Sequence, residues 1–176
     1  PKEFAQIMID KEGGVDNAKK LFDKSEVKPS DYRPEDVRIN SAGEKYSKIL
    51  NSVFEENYDF SDYNRASSIY WPGNRLGHGR EDVANFWNSL KNIFTKIKFS
   101  IEHVGYLDEP IKNPRASIRW FLEGVHSNDS DDYGKKTNSK LFIMGINHVE
   151  LNKDGIIREW VLFDEVAIWK QILMNK

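Results

Sequence analysis

The stretch from residue 155 to residue 171 constrains the fold most, because it has the composition of a long β-strand that follows a turn. Asn-Lys-Asp-Gly at 152–155 is a turn signal, and β-branched and aromatic residues dominate after it. Side chains alternate across a strand, so one face is predicted to carry Ile156, Arg158, Trp160, Leu162, Asp164, Val166 and Ile168. This face is large and apolar, and the carboxylate of Asp164 would be costly to desolvate there without a partner.

Asp164 is therefore the first candidate for acid/base chemistry. Two alternatives stay open at this point. An aspartate near a strand end can be a solvated or hydrogen-bonded structural group, and Arg158, which has the same strand parity, could neutralise Asp164 in an ion pair.

Composition excludes several classes of function. The 176 residues suffice for one domain with an extension, and the chain has no Cys, which rules out thiol catalysis, disulfides and cysteine-ligated zinc. The histidines at 78, 103 and 148 lack metal-ligand spacing, so we expect no metal. Twenty-six basic and twenty-eight acidic residues give a net charge of −2, which argues against nucleic acid or an acidic membrane as a partner.

The chain also lacks an apolar run long enough to span a membrane and a hydrophobic leader, and we expect a cytoplasmic location. It begins at Pro1 rather than at a methionine, so we expect a processed or partial chain.

The chain divides into two parts near residue 40. Residues 1–40 hold two short amphipathic stretches and a polar segment with Pro29 and Pro34, which predict a helical extension or linker. Residues 41–176 read as the compact domain, with a helix from Ser41 and a second helix from Arg80.

The compact domain is predicted to be an α+β fold. Strands are expected at 66–71, 99–107, 116–126 and 141–151 before the final one, and the polar run 127–139 is expected to be a mobile loop. Helices followed by consecutive long strands favour a curved, mostly antiparallel sheet, cone-shaped and closed by N-terminal helices around a pocket.

Several short motifs, in order, resemble the SnoaL-like polyketide cyclases of the nuclear transport factor 2-like superfamily, which has a cystatin-like fold. These are Trp-Pro-Gly at 71–73, Gly-His-Gly-Arg at 77–80, Gly-Val-His at 124–126, Asp-Gly-Ile-Ile at 154–157, Glu159-Trp160, Asp164 and Gln171. The similarity spans residues 45–172. It implies a deep apolar pocket, a homodimer packed through the outer face of the sheet, and no metal or organic cofactor.

The resemblance also implies roles for individual residues. Asp164 is the expected acid/base group, and His126, at the end of the Gly-Val-His strand, is its expected partner. The residues expected to line the pocket are Trp160, Trp120, Tyr70, Trp71, Trp87, Phe142 and His78.

Three functional hypotheses follow from the sequence together with this resemblance. The first is a small cofactor-independent enzyme that carries out cyclisation, isomerisation, hydration or dehydration of a hydrophobic keto compound. The second is a non-catalytic module that binds a small hydrophobic molecule. The third is a dimeric interaction module of the same fold, with its pocket filled.

Overall fold

A computed structural model describes residues 1–23 and 41–175 of the chain. The predicted linker with Pro29 and Pro34 lies outside these residues, so the boundary at residue 40 stays a prediction. The helices are α1 (Lys2–Lys11), α2 (Val15–Asp23), α3 (Ser41–Val53), α4 (Gly79–Lys91) and α5 (Glu165–Met174). The strands are β1 (Tyr63–Trp71), β2 (Arg75–His78), β3 (Phe94–Leu107), β4 (Arg115–His126), β5 (Lys140–Asn152) and β6 (Gly155–Phe163). None of the helices so described is long and apolar enough to cross a membrane.

The six strands form one curved sheet in the order β2-β1-β6-β5-β4-β3. Neighbouring strands are antiparallel except β1 and β6, which are parallel. The predicted α+β class with a mostly antiparallel sheet is confirmed. Two local predictions are wrong: the sequence predicted no strand between 66–71 and the helix from Arg80, where β2 lies, and the last strand ends at Phe163 instead of continuing to Ile168.

A β-bulge at Ile157 decides which side chains of β6 face inward. In the pairing of β5 with β6, Leu151 lies opposite Ile156 and Glu150 lies opposite Arg158, so Ile157 is an extra residue. A one-residue shift of this kind moves every later side chain to the opposite face.

The prediction of which side chains share the apolar face of β6 is therefore wrong beyond the bulge. Trp160 and Leu162 lie on the exposed outer face of the sheet, whereas Glu159, Val161 and Phe163 are buried on the inner face. The carboxylate that this strand buries belongs to Glu159 and not to Asp164.

Helices α3 and α4 cover the inner face of the sheet. The core between these layers holds Tyr46, Leu50 and Val53 of α3, Val83, Trp87 and Leu90 of α4, and Tyr63, Ile69, Trp71, Ile118, Trp120, Leu122, Glu159, Val161 and Phe163 of the sheet. Each helix contributes residues at three- and four-residue spacing, which places one apolar stripe against the strands.

Helix α5 completes the edge of β5 that β6 leaves open. The pairing of β6 with β5 ends at Gly145, and beyond it the side-chain amide of Gln171 takes the place of a strand. Its Oε1 accepts from the backbone N–H of Phe142 at 2.9 Å, and its Nε2 donates to the carbonyl of Phe142 at 2.9 Å. The side chain thus satisfies two backbone groups that would otherwise be unpaired.

The N-terminal helices pack against α5. Ile9 and Ala18 form a small buried cluster with Met174, and Lys170 donates to Glu12 at 2.6 Å in a largely buried ion pair. The loop at 127–139, expected to be mobile, buries Tyr133 in the main core, and its mobility stays a prediction.

We predict that Gly145→Ala destabilises the protein by about 1–3 kcal/mol, because a Cβ at this position would overlap the indole ring of Trp120. Gly105→Ala is the matched control in β3, where the nearest atom to an added Cβ is 3.9 Å away. Urea unfolding of both variants tests this, and equal stability of the two would show that Trp120 moves aside freely.

Candidate functional site

Glu159 is a fully buried carboxylate at the centre of the inner face. Its Oε1 accepts from the Tyr46 hydroxyl at 2.5 Å and from Asn147 Nδ2 at 2.8 Å. Its Oε2 accepts from the Tyr63 hydroxyl at 2.8 Å and from Trp87 Nε1 at 3.3 Å. Four donors thus surround one carboxylate, which is the arrangement that a buried carboxylate needs.

The side chain of Asn147 extends this network. Its Nδ2 also reaches the Tyr46 hydroxyl at 2.7 Å, and its Oδ1 accepts from Trp120 Nε1 at 2.7 Å. The network therefore joins α3, α4, β1, β4, β5 and β6 through side chains, and the position of each group depends on the others.

Burial raises the pKa of Glu159 above its ordinary value, and the hydrogen bonds from Tyr46, Tyr63, Trp87 and Asn147 oppose this rise. Burial also raises the pKa of both tyrosines, and the negative charge of Glu159 raises it further. The tyrosines therefore remain protonated donors at neutral pH. Among the residues that the structure describes, no cationic side chain forms an ion pair with Glu159.

Aromatic rings surround this carboxylate. The rings of Trp71, Trp87, Trp120 and Phe163 form four contacts with centroids 5.0–6.3 Å apart, and all four residues are buried. Within the described part of the chain, Trp71 Nε1 is a buried donor without a hydrogen-bond partner. The interior next to the Glu159 network is apolar, and aromatic side chains occupy it.

His126 is fully buried at the end of β4, on the inner face. Its Nδ1 lies 3.4 Å from the Thr137 hydroxyl, and its Nε2 has no partner among the described residues. Burial lowers the pKa of His126 below its ordinary value, and the carboxylate of Asp129 partly opposes this shift. The imidazole is therefore neutral near pH 7.

Asp164 is exposed and begins α5 as its N-cap. Its Oδ1 accepts from the backbone N–H groups of Val166 at 2.8 Å and Ala167 at 3.0 Å, and these are the hydrogen bonds that an N-cap aspartate typically forms. This corrects the expectation that Asp164 is buried beside Trp160. The ion pair considered between Arg158 and Asp164 is also absent from the described residues, since Arg158 pairs with Glu150 at 2.7 Å.

The sheet register separates Asp164 from His126. Phe163 lies opposite Gly145 of β5, whereas the backbone N–H of His126 pairs with Ser139, six residues earlier in the chain. Since Asp164 is one residue beyond Phe163, the offset is about five residues, or roughly 16 Å along the strands. The structure does not bring these two predicted catalytic groups together, and their catalytic roles stay predictions.

The residues expected to line the pocket divide between the two faces. Trp71, Trp87 and Trp120 lie in the interior around Glu159, as described above. Trp160, Tyr70 and Phe142 lie on the outer face, and the rings of Tyr70 and Trp160 stack with centroids 5.3 Å apart. His78 is exposed at the end of β2, where it precedes α4.

Sequence reasoning missed Glu159 as a functional candidate. Glutamate is depleted in strands, so a glutamate within an apolar strand next to Trp160 was the available signal. Strict alternation from Ile156 places Glu159 on the solvent side, because the bulge at Ile157, which reverses the two faces, cannot be recognised from the composition.

No known family model matches the chain, and no curated protein matches it by sequence. Solved structures do match. IdmH, a proposed polyketide cyclase from Streptomyces antibioticus, has a TM-score of 0.62 at 12% identity, covering 76% of this chain and 99% of its own. A proposed polyketide cyclase from Acidithiobacillus ferrooxidans has a TM-score of 0.60 at 16% identity, covering 80% and 100%. A proposed SnoaL-like polyketide cyclase from Jannaschia sp. CCS1 has a TM-score of 0.56 at 12% identity, covering 77% and 94%.

The chain therefore has the fold of the SnoaL-like polyketide cyclases, as the sequence resemblance predicted. At this level of identity the similarity concerns the fold, and function has to be argued from the residues of the site.

We predict that the buried His126 makes the protein sensitive to acid. Because its folded pKa is lowered, the unfolded chain takes up the proton first, and stability is lost as the pH falls from above about 6.5 through the folded value. His126→Phe should remove this component; at pH 8 its main loss is the 3.4 Å contact between Nδ1 and the Thr137 hydroxyl, because Nε2 has no partner among the described residues. Urea unfolding between pH 8 and pH 5 measures it. His103→Phe in β3 is the control, and the prediction fails if both variants keep the wild-type pH dependence.

Proposed function

We propose that the protein is a cofactor-independent acid/base enzyme that acts on a hydrophobic keto compound, with Glu159 as the group that moves the proton. The reaction class is cyclisation, isomerisation, hydration or dehydration next to a carbonyl. The observation that carries the proposal is a fully buried carboxylate with a raised pKa and no ion-pair partner among the described residues.

The chemistry follows from the protonation states. A carboxylate whose pKa is raised toward neutrality is a better base at physiological pH than a free glutamate. Glu159 would take the proton from the carbon next to the substrate carbonyl and return it to the product. As Glu159 takes up that proton and loses its charge, the hydroxyl of Tyr46 or Tyr63 would turn its single proton from Glu159 to the carbonyl oxygen, which gains negative charge in the same step.

The aromatic interior sets the class of substrate. A molecule that reaches Glu159 must contact Trp71, Trp87 and Trp120, so its body is apolar, and its polar part is confined to the carbonyl. Because Glu159 is fully covered, entry requires a rearrangement of these rings. Binding of substrate and movement of the rings are therefore coupled in this proposal.

The experiment is exchange of the acidic α-protons of 2-tetralone for deuterium, followed by proton NMR in buffered D2O. We expect the wild type to accelerate the exchange, with a rate that rises as the pH passes through the raised pKa of Glu159. Glu159→Gln should lower the enzymatic rate by about 10²–10⁴-fold, because it removes the base while retaining most of the side-chain volume.

Glu81→Gln, an exposed position of α4, is the control for a general effect of charge, and it should exchange at the wild-type rate. Asp164→Asn decides between the two carboxylates. Loss of exchange in Asp164→Asn together with retention in Glu159→Gln would contradict the proposal and favour the assignment made from the sequence. Absence of exchange in the folded wild type would leave this chemistry without support.

A second candidate function is that of a dimeric interaction module, and the outer face of the sheet favours it. Tyr70, Trp160 and His148 lie side by side on β1, β6 and β5 and form an outer aromatic patch. The ring of Trp160 lies 5.3 Å from Tyr70 and 5.5 Å from His148, yet Tyr70 and Trp160 each remain 38% exposed. Stacked aromatic rings exposed on a sheet are typical of the centre of a protein interface.

We expect this patch to form a homodimer. Trp160→Glu should weaken association at least tenfold, because the variant places two carboxylates at the symmetric centre of the interface. Sedimentation equilibrium of the wild type and the variant measures it. Leu107→Glu, an exposed apolar residue at the end of β3, is the matched control, and a monomeric wild type would exclude this candidate.

A further inference from the structure

An open cleft of about 620 Å³ lies outside the core, where the outer face of the sheet meets the start of α5. Its apolar lining includes Met144 and Ile146 of β5, Leu162 of β6 and Pro72 of the turn between β1 and β2, and Pro1, the first residue of the chain, also borders it. Met144 and Leu162 are 64% and 66% exposed, so both side chains are accessible to a ligand. The volume is that of a small-molecule site.

The carboxylate of Asp164, at the edge of this cleft, has one oxygen that the described residues leave free to form a hydrogen bond or an ion pair. Asp164 uses Oδ1 to cap α5, whereas its Oδ2 has no hydrogen-bond partner in the described part of the chain. The neighbouring Glu165 is paired with Arg75, which also lies 3.7 Å from Asp132. Asp164 is therefore the anionic group that remains available to a ligand in the cleft.

We propose that this cleft binds an amphiphilic cation, that is, an apolar chain or ring system that ends in an amine. The apolar part would cover Met144, Ile146 and Leu162, and the ammonium group would pair with Asp164 Oδ2. Burying three exposed side chains supplies most of the affinity, and the charge pair supplies the preference for a cation over a neutral or anionic head group. This site is separate from Glu159 and does not depend on the proposed catalytic activity.

The capping role of Asp164 makes a clean variant available. Asparagine caps a helix about as well as aspartate, so Asp164→Asn removes the charge and keeps the start of α5. Asp154→Asn is the matched control, because Asp154 is an exposed aspartate that precedes the same strand that Asp164 follows.

The probes are octylamine, 1-octanol and octanoate, which share a chain and differ in the head group. Binding is followed by NMR of the protein labelled with [methyl-13C]methionine, at low ionic strength. The chain has three methionines, and Met144 alone lies in the cleft, since Met8 is in α1 and Met174 is buried at the end of α5.

We expect octylamine to shift the Met144 signal and to bind about three- to fivefold tighter than 1-octanol, with octanoate the weakest. Asp164→Asn should bring the ratio of amine to alcohol close to one, whereas Asp154→Asn should leave it unchanged. Added salt should reduce the preference in the wild type.

Three outcomes would overturn the proposal. The first is a Met144 signal that does not respond to octylamine. The second is binding of octanoate as tight as that of octylamine, or the same effect from Asp154→Asn as from Asp164→Asn. The third is a Met144 signal that shifts on dilution without ligand while sedimentation reports a dimer, which would make a second copy of the chain the occupant.

Discussion

Burial of one carboxylate organises the interior of this protein. Glu159 accepts hydrogen bonds from α3, α4, β1 and β5, and a carboxylate without such donors could not remain buried. The helices and strands that supply these donors must therefore be correctly placed at the same time. The network makes the packing of the two layers specific, whereas the surrounding aromatic rings supply most of the buried apolar area.

The elements of the fold could be predicted from periodicity, but the site could not. Long strands such as β4 alternate along their whole length, and the sequence shows it. β2 has only four residues, too few for a pattern, and it lies among turn residues. The bulge at Ile157 is set by the pairing of β6 with β5, which is a tertiary interaction that local composition does not record. Glu159 was missed for this reason, and Asp164 was placed inward.

The sequence predicted that Asp164 is the acidic group among the apolar side chains of the last strand. The structure instead has two acidic groups there, one buried and one exposed. The buried acidic group of β6 is Glu159, and the exposed one that follows the strand is Asp164, which starts the next helix. The chain shares its fold with the proposed cyclases, but the identities of 12–16% leave the chemistry to the individual side chains. Interior and outer face thus present two different kinds of surface, one apolar around a buried carboxylate and one apolar beside an exposed carboxylate.

The amide of Gln171 also bears on how the chain avoids self-association through its backbone. Where β6 ends, the strand β5 would present unpaired N–H and carbonyl groups beside the exposed apolar side chain of Met144, which is the combination that recruits further strands in aggregates. A single side chain occupies those groups at Phe142 and cannot itself be extended, so the sheet stops growing there. A glutamine in a helix thereby acts as a terminator of β-structure, at a position where a proline or a lysine would be the more familiar solution.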